Sequence, residues 1–124
     1  MELPVLSCDE WYGQLLKMPR DGIGNMTAFY DHRIGGICRD PRLLLVPLDD
    51  HLVHRGDAVF ESLALRNGGI VQLDAHIKRL KMSSGSLGLV PPCSWEELRE
   101  IALAVARAGN APYGGLKILL GRGC

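Results

Sequence analysis

The sequence predicts an α+β domain, a mostly antiparallel sheet with helices laid on one of its faces. Three observations carry that expectation. Ala58 to Arg66 alternates as a half-buried strand does, and Asn67-Gly68-Gly69 follows it as a hairpin turn. Two capping boxes, Ser7 with Glu10 and Ser94 with Glu97, each open a stretch with apolar residues at helical spacing. Gly115 to Leu120 alternates again, with Leu116, Ile118 and Leu120 on one face and Lys117 and Leu119 on the other.

Taken in order, the first helix carries Trp11, Leu15 and Met18, and Pro19 stops it. Met26 to Tyr30 and Gly35 to Arg39 read as short extended segments joined by a turn at Asp31-His32. Asp40-Pro41 is a further turn, Leu43 to Val46 reads as a buried strand, and the polar Asp49 to Asp57 as a loop. Within Ala58 to Arg66, one parity holds Val59, Leu63 and Leu65 and suits packing under helices. The other holds Ala58, Phe60, Ser62 and Ala64 and suits the wall of a cleft. Glu61 shares the apolar parity, so it needs a partner, because a bare buried carboxylate is costly. After the turn, Ile70 to Leu73 is extended. Asp74 is the expected N-cap of a helix with the stripe Ile77, Leu80 and Leu87, stopped at Gly88. In the helix after Ser94, Trp95, Leu98, Ile101, Ala102 and Val105 form one continuous face, and Gly109 ends it.

Composition narrows the functional classes. The 124 residues suffice for one domain, and 47% apolar with 23% charged is the balance of a soluble globular protein. Fourteen basic residues balance fourteen acidic ones with no Lys/Arg cluster, which argues against nucleic acid as a partner. No apolar run approaches a membrane span, and no basic residue precedes Lys17, so neither a membrane segment nor a signal peptide is expected. Cys8, Cys38, Cys93 and Cys124 form no ligand pair and read as reduced thiols of a cytoplasmic protein. His51 and His54 with Asp49 and Asp50 could count as metal ligands. Spacing of three residues brings side chains together only on a helix, however, and this stretch reads as a loop, so no metal is expected. Arg55-Gly56-Asp57 is read as a chance tripeptide.

Four blocks carry a family likeness. They are Pro47 to Ser62, with Gly-Asp-Ala-Val-Phe-Glu at its core; Leu73 to Leu80, of the form L-x-x-H-x-x-R-L; Met82 to Pro92, with Ser-Leu-Gly-Leu-Val-Pro; and Gly115 to Gly123, ending in Gly-Arg-Gly. In this order the chain resembles the class-IV aminotransferases, the fold-type IV pyridoxal-phosphate enzymes. These include D-amino-acid and branched-chain aminotransferases and aminodeoxychorismate lyase. The likeness covers roughly the last three quarters of the sequence and leans to the D-amino-acid branch. It divides the chain into an N-terminal helical extension, 1–25, and a family-like α+β region, 26–124, together forming the small first domain.

The resemblance implies a pyridoxal 5′-phosphate enzyme of two domains, in which the cofactor lies between them and dimerisation completes the substrate pocket. Arg79, the arginine of H-x-x-R-L, would contact the cofactor phosphate, a role suited to a permanently charged planar fork. Phe60 would line the pocket, with a core phenylalanine as the alternative. Lys117 and Arg122 would help bind a substrate carboxylate, as basic residues do here in parts of the family, with solvated strand-end charges as the alternative. The substrate would be an amino acid and its 2-oxo acid partner. The family's Schiff-base lysine falls after the Thr-Arg-Gly block, and Lys17, Lys78, Lys81 and Lys117 do not match it. No catalytic residue is therefore expected within these residues, and the chain alone is expected to be inactive, with a C-terminal catalytic domain lacking. A homodimer or association with a separate second-domain chain is the expected assembly. Two alternatives stay open: a 4-amino-4-deoxychorismate lyase, and a non-catalytic interaction module of the same fold.

Overall fold

The computed structural model describes residues 1–124. Ser7 opens the first helix, α1 (Cys8–Lys17), as its capping box predicts: its hydroxyl accepts from the Glu10 N–H, and Glu10 accepts from the Ser7 N–H. The helix buries none of its residues fully. It leans on a 3₁₀ turn at Pro41–Leu43, where Arg42 donates to the Leu16 carbonyl. Strands β1 (Phe29–Asp31) and β2 (Gly36–Cys38) form a separate antiparallel hairpin, with Phe29 opposite Cys38. Asp31 shapes its turn by accepting from both the backbone and the guanidinium of Arg33, and Gly35 supplies a left-handed φ of 76°.

Two expectations fail between residues 41 and 57. Leu43 to Val46 is not a buried strand; Pro41–Leu43 is helical, and Leu45 and Val46 are exposed. Pro41 presets a helical φ, and the Asp40 carboxylate accepts from the Arg42 N–H, so the turn chemistry outweighs the apolar run. Asp49 to Asp57 is not a plain loop. It contains a short helix, α2 (His51–Arg55), capped by the Asp50 side chain on the Leu52 N–H and ended by Gly56 at φ 63°. Five residues are too few for apolar periodicity to register.

Strand β3 (Ala58–Arg66) is the central one, flanked by β4 (Gly69–Ile70) and by β5 (Gly114–Gly121) in the order β4-β3-β5. Asn67 and Gly68 both adopt positive φ, 52° and 78°, as a two-residue hairpin turn demands. β3 and β5 run antiparallel, with Ala58 opposite Gly121 and Leu63 opposite Leu116. The extended segment expected to reach Leu73 stops at Ile70, because Leu73 already belongs to the next helix.

That helix, α3 (Leu73–Ser86), starts behind Gln72, which holds φ 52° and makes no side-chain cap. Asp74 is therefore not the N-cap. Leu73 is buried against Leu63 and Ala102, and this packing sets the helix start two residues early. Asp74 lies in the first turn and instead accepts from Arg99 Nε at 2.7 Å. At the other end Leu87 is exposed rather than part of the stripe. Gly88, at φ 65°, swings the chain so that Leu89 is buried in its place, with its N–H on the Ser84 carbonyl. Helix α4 (Trp95–Gly109) begins with the reciprocal Ser94–Glu97 capping box and ends at Asn110 in the left-handed region. Replacing Ser94 with alanine is expected to lower stability by about 1 kcal/mol, read as a shifted urea midpoint with unchanged slope.

Helices α3 and α4 cover one face of the sheet. The core joins Leu63, Leu73 and Ala102 with Ile70, Ile77, Leu103, Leu116 and Ile118. The architecture is the expected α+β arrangement, and the parity read for β3 and β5 holds along both strands. The opposite sheet face carries neither long helix, and α2 reaches it only at the end of β5, where Leu52 lies against Gly121.

Candidate functional site

On the helix-covered face, β3 delivers a carboxylate into the packing. Glu61 stands between Val59 and Leu63 along one parity and is 5% exposed. Its partner comes from α3: Arg79 Nε donates to Oε1 at 2.5 Å, and Nη2 donates to Oε2 at 2.8 Å. His76, one turn earlier, places Nδ1 3.8 Å from Oε1 and 3.5 Å from Arg79 Nη2. The hydrogen bonds from Arg79 hold the Glu61 carboxyl below the usual glutamate range, outweighing the upward push of burial. No buried side-chain polar atom lacks a partner, so the cluster satisfies the carboxylate. The arginine is different. Its side chain remains 66% exposed, and Nη1 makes no hydrogen bond.

The uncovered face holds a second group. Phe60, 62% exposed, lies opposite Leu119 across the β3–β5 ladder, and Lys117 lies opposite Ser62. The Lys117 ammonium sits 5.1 Å from the Phe60 ring centroid, a cation–π contact. With Leu119 these side chains make a wall that is apolar with one cation.

The third group closes the foot of the sheet. Arg122 Nε and Nη2 donate to Asp57, with Nε at 2.5 Å, and Nη2 also donates to the Leu87 carbonyl at 3.0 Å. The Arg122 hydrogen bonds keep Asp57 well ionised. His51 adds a contact 3.8 Å from Asp57, and its ring meets His54 edge-on at 5.3 Å. The helix that sequence reading left out does bring these two imidazoles together, but they form no cluster of three or more ligating groups.

The four expected site residues thus fall into three places. Phe60 and Lys117 meet on the open face, Arg79 stands on the helix side of the same strand, and Arg122 is committed to Asp57 at the strand ends. Glu61 is the functional candidate that sequence reading left without a partner. Its parity gave the signal that one was needed.

Residues 58–124, which hold Phe60, Glu61, Arg79, Lys117 and Arg122, match the family model for amino-transferase class IV. The chain belongs to that family. One relative extends the likeness over nearly the whole chain. The chloroplastic D-amino-acid transaminase of Arabidopsis thaliana is 35% identical over 122 residues, which is 98% of this chain and 32% of that protein. A bifunctional aminodeoxychorismate lyase / D-amino acid transaminase of Mycobacterium tuberculosis is 33% identical over 73% of this chain and 32% of its own length. Among solved structures, a hypothetical aminotransferase of Mycobacterium tuberculosis in its PLP-bound form superposes with a TM-score of 0.62. It is 30% identical over 73% of this chain and 32% of that one. The chain spans about a third of the length of these relatives.

Within the class-IV chain, the arrangement offers one anchored cation with unused donors, and one open wall of aromatic, aliphatic and ammonium groups. The first suits a phosphate, which needs hydrogen-bond donors and positive charge at a fixed spot. The second suits the flat face of a bound organic group or another protein surface. No helix is long and apolar enough to cross a membrane.

Proposed function

We propose that this chain is the phosphate-binding part of a pyridoxal-phosphate-dependent aminotransferase acting on small amino acids, of the D-amino-acid transaminase kind. The observation that carries the reading is Arg79: a guanidinium anchored by a buried carboxylate, yet with its side chain 66% exposed and Nη1 free. These residues fit a phosphorylated cofactor, because the anchored cation gives its phosphate a fixed seat without closing it off. Pyridoxal phosphate, when bound, would supply the electron sink that lets an amino group pass between an amino acid and a 2-oxo acid.

The chain's own residues would bind and orient. Arg79 would neutralise phosphate, and Phe60 would present its ring as a pocket wall. Lys117, already over that ring, would attract a substrate carboxylate. Arg122 would act in the same sense only if it exchanged Asp57 for substrate, so we assign it first to holding β5 against the start of β3. A lysine that acts as a nucleophile at neutral pH is desolvated or set beside another cation. Lys17, Lys78, Lys81 and Lys117 are all exposed. None is proposed as the covalent anchor, and these residues alone are proposed to be inactive. The uncovered face of β3 and β5, with Phe60 and Leu119, is proposed to be covered by a second copy or by a separate second domain.

A lyase reading has specific support in the bifunctional Mycobacterium tuberculosis relative, which is named for both activities. The same phosphate seat would serve either reaction. The test is direct. Incubated with pyridoxal phosphate and treated with borohydride, the chain should keep no covalently fixed cofactor by intact mass, while reversible binding should depend on Arg79. A stoichiometric adduct on Lys117 would overturn the assignment of the lysines.

A further inference from the structure

We propose that Glu61 is a positioning residue: its buried carboxylate occupies the lateral edge of Arg79 and so presents the terminal edge to an incoming phosphate. The inference rests on the reading of Arg79 as a phosphate ligand and adds how that ligand is aimed. A guanidinium is planar and offers two bidentate edges, one through Nε and Nη2 and one through Nη1 and Nη2. Glu61 takes the first with both of its oxygens. Because the ion is rigid, fixing one edge fixes the direction of the other.

The clamp itself cannot drift. Glu61 sits near the middle of β3, opposite Ile118 of β5, with Leu63 in the core beside it. His76 stands against both the carboxylate and Nη2, so on the terminal edge Nη1 is the donor left without a partner. Arg79 by contrast is a long, exposed side chain that would sample many rotamers without its anchor. Glu61 therefore removes, before any ligand arrives, part of the ordering cost that phosphate binding would otherwise carry.

A purely structural ion pair predicts the opposite response. Glu61 is an anion, so by charge alone its neutralisation should tighten the binding of another anion to Arg79. If it aims the guanidinium, neutralisation should weaken binding. The experiment measures the affinity of the 124-residue chain for pyridoxal 5′-phosphate, with unphosphorylated pyridoxal as the control. Wild type, Glu61→Gln and Arg79→Gln are compared.

The expected result is that Glu61→Gln binds the phosphorylated probe about tenfold more weakly, the size of one charged hydrogen bond, with pyridoxal binding unchanged. Arg79→Gln should lose the preference for the phosphorylated probe altogether. Should Arg79→Gln bind both probes as wild type does, the phosphate reading fails and takes this inference with it. Should Arg79→Gln lose the preference while Glu61→Gln binds as tightly as wild type or more so, the positioning role alone is overturned. If circular dichroism shows Glu61→Gln unfolded, the wild-type nitrogen-15 spectrum decides. At saturating pyridoxal phosphate the Arg79 Nε–H signal must stay hydrogen-bonded to Glu61 while the Nη signals move. Release of the Nε–H bond by phosphate overturns the proposal.

Discussion

Replacing Arg79 with methionine is expected to cost this chain more stability at pH 7 than at pH 4. In the wild type, Arg79 depresses the folded-state pKa of Glu61. That pair contributes stability above the unfolded-state value, about 4.3 for glutamate, and the contribution is lost as pH falls through the lower folded value. Methionine leaves the carboxyl of Glu61, a residue 5% exposed in the wild type, without its main partner. Burial then raises the folded pKa above the unfolded one, so the sign reverses. Between those two values the variant loses stability as pH rises, by at most about 1.4 kcal/mol per pH unit. Asp31, Asp40 and Asp57 also have lowered pKa values through their arginine partners, but they are the same in both proteins and cancel in the difference. Urea unfolding of the two proteins at pH 4, 5.5 and 7 checks this. A stability gap that stays constant over that range would mean that Glu61 is not the group responding.

The second large effect is at Leu63. Truncation to alanine is expected to lower stability by about 3 kcal/mol, within the usual range for emptying a buried leucine site. The site has little room to relax, since Leu63 is 2% exposed at the point where β3, α3, α4 and β5 converge. Only 10 of the 124 residues are buried, so one cavity removes a large share of the packing that holds the helices down. A domain typically has about 5–15 kcal/mol in all, and the variant should melt well below the parent. Leu119→Ala is the control. It lies on the uncovered face, 56% exposed, and its truncation should change stability by no more than about 0.5 kcal/mol. Equal losses from both variants would show that the uncovered face is packed in solution, contrary to the one-sided sheet.

What could be read from the sequence follows the reach of each interaction. Capping boxes are four residues long and complete in themselves, so Ser7–Glu10 and Ser94–Glu97 formed as expected. The alternation of β3 survives because a slip of one residue would expose Leu63 and bury Ser62. Asp74 misled because a local capping preference worth about 1 kcal/mol yields to the burial of Leu73 beside it. Leu43 to Val46 misled for the opposite reason: here the local turn chemistry of Asp40 and Pro41 outweighs the apolar run. At the candidate site the residue types were legible but the pairing was not. Glu61 and Arg79 lie 18 positions apart, on a strand and a helix whose relative placement no local pattern encodes. The same holds for Asp57 and Arg122, 65 positions apart.

The register of β3 against β5 also bears on how the molecule is made. Ala58 meets Gly121 and Leu65 meets Gly114, so every rung of the main ladder joins residues 58–65 to residues 114–121. A ribosome-bound chain that has not yet released residue 114 can fold the β3–β4 hairpin and its two long helices, but it leaves a whole sheet edge open. Leu63 then waits for Leu116 through the synthesis of some fifty residues, several seconds at about 5–20 residues per second. That interval is the period in which an apolar strand is available to other nascent chains, and in which a holdase chaperone would find most to bind.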